Sequence, residues 1–283
     1  MTRTSVLFVA LAALVSGVAN AGTITIGGQL GNLNGGVNCG TGSHSTLLSS
    51  TVKEFNFDGI NGSTAYTPCP GAGPDANFVN YGAIPTSAYN LGGGFGSISF
   101  SHSAMSAGDI VRGRLSGQSG DPWADSTPYL VIPGITQNLG NRLTLNLTGL
   151  TTQANYFGMY FGSVDTYNHI NFTLSDSSVV NFNGTMIASA LSAVASGGQF
   201  TTNSNVFVDF FSRGATINSI TFYSDQRALE VDNFAFGSVP TPGAMALLGL
   251  GLLGIGGFRR NRVAACIAQV EQVPGHFATS AGW

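Results

Sequence analysis

From Ile24 onward, apolar side chains recur at every second position with Ser, Thr, Asn and Gly between them, the period of strands with one buried face. Ile24 and Ile26, Val52 to Phe57, and Ile98 with Phe100 open the series. Leu143, Leu145 and Leu147, spaced by Thr144 and Asn146, give the cleanest alternation. After Thr152 the pattern tightens into Tyr156 to Phe161, Ile170 to Leu174, Val179 to Phe182, Val206 to Phe211, Ile217 to Tyr223 and Leu229 to Phe236. Turn residues between these runs, notably Asn183-Gly184 and Arg213-Gly214, predict antiparallel pairing of successive strands. Met186 to Ala195, short and Ala-rich, is the stretch of this region that reads as helix. About ten to twelve short strands with one short helix predict an all-β fold, a two-sheet antiparallel jelly-roll-like sandwich. Gly22 to about Ser50 and Tyr66 to Gly94 read as loop-rich segments that cap or cross it.

The two ends of the chain are continuously apolar instead of alternating. Residues 1–21 place Arg3 before the apolar run Val6 to Val15 and the small-residue site Ala19-Asn20-Ala21, the order of a secretory signal peptide cut after Ala21. Near the other end, Gly243 to Phe258 is a run of sixteen uncharged residues with five Leu and no Pro, nearly the length of a membrane-crossing helix. Its six glycines would weaken a helix in water but allow close packing in a bilayer. Arg259, Arg260 and Arg262 follow it, and basic residues resist translocation, so the Arg side stays cytoplasmic and everything before Val239 is exported.

Val239-Pro240-Thr241-Pro242, then the apolar run, then the Arg cluster closely resembles the C-terminal signal of PEP-CTERM proteins. Thr241 stands where the commonest motif has Glu, a change that keeps both prolines. The resemblance implies a Gram-negative precursor anchored in the inner membrane through residues 243–258. It also implies an exosortase that cuts near Val239, Pro240, Thr241 and Pro242 and delivers the product to the cell surface or exopolysaccharide. Proline fixes its own φ and drives the preceding residue into extended geometry, so Ser238 to Thr241 is expected to be an unpaired strand open to a protease. The chain then divides into a signal peptide (1–21), a β-sandwich ectodomain (22–238), the sorting signal (239–262) and an extension, 263–283, to which the sequence gives no role. Three ectodomain stretches, Asp121 to Leu130, Asn155 to Asn168 and Leu229 to Ala235, resemble one group of PEP-CTERM ectodomains. That likeness implies a β-sandwich and adds no catalytic residue.

Composition fits export. The ectodomain carries Lys53 and five Arg against twelve acidic residues, a net charge of −6, so nucleic acid is not an expected partner. Signal peptidase, the secretion machinery, an exosortase and exopolysaccharide are. Its two cysteines, Cys39 and Cys69, lie in Gly- and Pro-rich surroundings, and in an oxidising compartment they are most simply a disulfide. The alternatives are a zinc site, which lacks nearby His, or a nucleophilic Cys, whose partners sequence cannot place.

Candidate chemistry is sparse. No G-x-S-x-G elbow, H-E-x-x-H or P-loop occurs, and Gly92-Gly93-Gly94-Phe95-Gly96 lacks the spacing and following helix of a dinucleotide site. No catalytic residue is assigned and the expectation is a non-enzyme. A hydrolase remains the lesser alternative, because the separation its paired carboxylates require is spatial. The aromatic run ending in a polar turn supplies candidate glycan contacts at Tyr160, Asp165, Tyr167 and Asn168, with Trp123 as a fifth, flanked by Asp121 and Asp125. Core packing and backbone capping are the rival uses of the same side chains. No cofactor is expected, though Asp165, Asp225 and Asp232 are candidate calcium ligands that no repeat organises. The sequence therefore predicts non-catalytic binding or scaffolding in exopolysaccharide, with a dedicated lectin as the alternative.

Overall fold

The computed structural model describes residues 22–30, 44–63, 78–103, 107–119, 125–195 and 203–240. The expected signal peptide, the Cys39 and Cys69 pair, Trp123, and Thr241 through the apolar run to Arg262 lie outside them. Fourteen strands are described. The first seven are β1 (Thr23–Leu30), β2 (Val52–Phe55), β3 (Val79–Ala83), β4 (Tyr89–Asn90), β5 (Ser97–His102), β6 (Asp109–Arg112) and β7 (Tyr129–Ile132). The rest are β8 (Leu143–Asn146), β9 (Tyr156–Gly162), β10 (Asn168–Leu174), β11 (Val179–Asn183), β12 (Val206–Arg213), β13 (Ile217–Ser224) and β14 (Leu229–Gly237). One α-helix, α1 (Gly184–Leu191), is described.

The strands form two antiparallel sheets. The larger runs β1-β12-β9-β14-β7-β6-β3, with β2 added onto β14, and the smaller runs β11-β10-β13-β8-β5-β4. Phe157, Phe172, Phe210, Phe222 and Phe234 meet between them, with Phe222 and Phe234 stacked at 5.5 Å and 14°. The two sheets differ in the way their sequences foretell. Burial alternates along β8 and β10, because one face of the small sheet meets the core and the other carries Thr and Asn. Every residue of β9 and β14 is buried, because the large sheet is covered on both sides. Its outward side chains Tyr156, Tyr160, Phe207 and Ala235 pack with Val52 and Leu47, which close over them.

Several expectations needed correction. The connection at Arg213-Gly214 does not make a hairpin: β12 belongs to the large sheet and β13 to the small one, and β14 returns to the large sheet. Turn chemistry permits a reversal but does not say onto which sheet the chain folds back. Asn183-Gly184 is not a hairpin turn either; Asn183 caps α1, its side chain accepting from the Met186 amide at 2.9 Å. The helix accordingly starts at Gly184, ahead of the expected Met186, and ends where Ser192 turns left-handed at φ 54°. Strands β3 and β4 occupy part of the stretch expected to be loop.

Candidate functional site

Strand β14 is flanked by β9 and β7 and carries β2 as well, and it leads straight into the proline motif. Gly237 can only be glycine: its φ is +154°, and a β-carbon there would collide with the Thr51 carbonyl oxygen. Ser238 then donates its amide to the same Thr51 carbonyl at 3.0 Å. Val239 is held from both sides by one side chain, its amide donating to Asn155 Oδ1 at 2.8 Å and its carbonyl accepting from Asn155 Nδ2 at 2.8 Å. An amide side chain has one acceptor and one donor edge, and here both engage the same residue, as a neighbouring strand would. Asn155 is itself fixed, donating its backbone amide to the Gly237 carbonyl at 3.0 Å.

The expectation of an unpaired segment over Ser238 to Thr241 is overturned at its first two residues, Ser238 and Val239. Ser238 and Val239 are half-buried and hydrogen-bonded to the domain, whereas Pro240 is exposed. The compact unit that begins at Met1 ends at Val239. The hydrogen-bonded chain that continues β14 thus reaches Val239, and the next residue, Pro240, is exposed.

The candidate glycan contacts are mostly core. Tyr160 is 1% exposed and Asn168 0%, so neither offers a face to a sugar in this fold. Asn168 Oδ1 instead accepts from the Ser224 hydroxyl at 2.6 Å and ties β10 to β13. Asp165 is buried and accepts from the Ser163 hydroxyl at 3.1 Å; burial raises its carboxyl above the usual range. Tyr167 is half-buried, donates to the Arg227 carbonyl at 3.3 Å, and is pushed upward mainly by burial. The polar turn caps its own neighbourhood, the rival use noted for these residues.

The candidate calcium ligands are scattered. Asp225 is exposed and paired with His169 at 2.9 Å. Asp232 is sealed in the large sheet, where its carboxyl and that of Asp125 both reach the Thr127 hydroxyl, at 3.0 and 2.5 Å. Burial first, and the Asp125 charge second, hold Asp232 well above the ordinary carboxylate range. Among the described residues no group of three or more His, Cys, Asp or Glu converges as a metal site. None of their helices is long and apolar enough to cross a membrane. Sequence reasoning missed Asn155, although its place at the head of an aromatic strand was visible; its partner, 84 residues away, was not.

No curated protein and no solved structure matches the chain. A family model does: the PEP-CTERM protein-sorting motif, over residues 238–261. That match begins one residue past the end of β14 and includes the clamped Val239. The chain thus carries a PEP-CTERM protein-sorting motif, the C-terminal signal of an exported, exosortase-sorted protein.

Proposed function

We propose that the sandwich is the cargo of this signal: a non-catalytic protein that an exosortase cuts just beyond Val239, and that then binds or scaffolds exopolysaccharide outside the cell. The observation that carries the reading is the boundary at Val239. A folded domain clamped to Val239, the residue before the exposed Pro240, can lose everything downstream without losing a single β14 pairing. Residues 243–258 serve as the temporary membrane anchor and Arg259, Arg260 and Arg262 as its cytoplasmic stop. The signal peptide ending at Ala19-Asn20-Ala21 brings the chain to the secretion machinery. No cofactor takes part.

Intact mass of the protein recovered from cells with and without the exosortase tests this. The expected product ends between Val239 and Pro242 in the first strain and retains the anchor in the second. An identical C-terminus in both strains overturns the assignment.

A further inference from the structure

Strand β2 pairs with β14 of the large sheet, and β4 is the edge of the small one. Between β2 with the turn after it, and β4 with the loop before it, lies a groove of about 630 Å³, within the range of sites for small ligands. Phe55 and Tyr89, which both line it, bridge the two sheets with ring centroids 5.3 Å apart at 64°. Both rings are half-buried. Around them the lining is polar: Glu54 and Asp58, the amides of Asn56, Asn61 and Asn90, and the hydroxyl of Ser87. None of the lining residues is basic.

Two features make this a prepared surface and not merely a wet one. Asn61 donates to the Ala83 carbonyl at 2.9 Å and Asn90 accepts from the Gly92 amide at 2.9 Å. Each amide is thereby held by one end, leaving the Asn61 carbonyl and the Asn90 NH₂ for another partner. Glu54 is held likewise, with Oε1 2.8 Å from His44 Nδ1. In addition, Glu54 Oε2 and the Tyr89 hydroxyl are buried and have no hydrogen-bond partner among the described residues. A buried polar atom left so is destabilising, a loss that a ligand hydroxyl reaching the groove could recover. Burial also pushes the Tyr89 phenol up to about 12, so it stays a donor throughout the physiological range.

Aromatic faces beside fixed amides and carboxylates suit the alternating apolar and hydroxyl-bearing surfaces of a pyranose. We infer that the groove between β2 and β4 binds a segment of uncharged polysaccharide and, through Glu54 and Asp58, turns away uronate- or sulfate-bearing chains. This rests on the matrix-binding reading above and gives it a site and a ligand class.

The full-length protein in detergent, applied to an array of neutral and uronic oligosaccharides, tests it. Neutral oligosaccharides should be retained and uronic ones not. Tyr89→Phe and Ser87→Ala, which leave the packing in place, should each weaken binding about threefold or more, with melting raised in the first, which loses an unpartnered buried hydroxyl, and unchanged in the second. The Glu54→Gln, Asp58→Asn double variant should gain uronate binding. Failure to bind any neutral glycan overturns the inference, as does equal binding by wild type and variants. Release of reducing ends would instead make the groove hydrolytic. The mass measurement of the C-terminus is independent of every one of these results, so the sorting assignment can stand while the groove falls.

Discussion

Asp232 shows how a single residue sets the response of the fold to pH. Its carboxyl is fully buried, its Oδ1 accepts from the Asn233 amide at 2.7 Å, and its Oδ2 shares the Thr127 hydroxyl with Asp125. Two buried carboxylates at one hydroxyl cannot both be ionised, so a proton is retained by the pair in the folded state. The folded-state value lies above the unfolded one. The stability gained from that proton is therefore complete below the unfolded value, about 4, and drains away as pH rises through the folded value. Asp165, Asp209 and Asp58, each raised by burial, contribute with the same sign. The thermal midpoint should accordingly fall between pH 5 and pH 8. Asp232→Asn, whose amide can donate to Asp125 permanently, should flatten that slope and stabilise the protein at pH 8 by on the order of 1 kcal/mol. Thermal melts across that range check it; a variant that tracks the wild type at every pH would falsify the shared-proton account.

At the level of elements, the alternation of Leu143 to Leu147 and of Ile170 to Leu174 was legible because the outer face of the small sheet meets water. The buried strands β6 and β7 left no such trace. Asp-Ile-Val-Arg and Tyr-Leu-Val-Ile are too short and too continuous for a period of two to appear. Which sheet each strand joins was equally silent, since that depends on contacts across the core. So was the groove, because Asn56, Asp58 and Asn61 acquire a common wall only when β4 arrives from the other sheet. The sorting signal, by contrast, is a linear pattern of chemistry and needed no fold to be read.

The crowded outer face of β9 offers a test of the packing. Gly158 lies beneath the Tyr156 hydroxyl and the Phe207 ring, whose nearest carbon would be 2.7 Å from an added β-carbon. Tyr156 in turn donates to Asp209 Oδ1 at 2.6 Å and meets the Ser45 hydroxyl at 2.7 Å, which secures the covering segment to the sheet. Gly158→Val should separate these layers and cost about 1–3 kcal/mol, read as a lower urea midpoint. Thr173→Val, half-buried on the outward face of the small sheet, is the control expected to leave it unchanged.

For the molecule as a whole, maturation at the first end should tighten the fold. The Gly22 nitrogen donates to Asp176 Oδ2 at 2.7 Å, and a side chain at position 22 would strike Leu174 and Ala215. The proposed cleavage after Ala21 would convert that amide into an ammonium already seated against a carboxylate, and hydrogen bonds from Ser178 and Gly22 already favour the charged form of Asp176. The processed protein should melt above its precursor below about pH 8, where the new amine is charged. The difference should vanish in Asp176→Asn; a persistent difference would mean that the leader destabilises the fold by another route.

The order in which the strands are made has its own consequence. The ribbon that joins β2, β7 and β9 is the last to be synthesised, and only the two residues Ser238 and Val239 separate its end from Pro240. Until it has emerged on the far side of the membrane, the larger sheet is three unconnected pieces, β1-β12-β9, β7-β6-β3 and β2. Assembly of the domain must therefore wait until the tether itself is being inserted, so a chain severed too early arrives as debris and only a finished one can be set free.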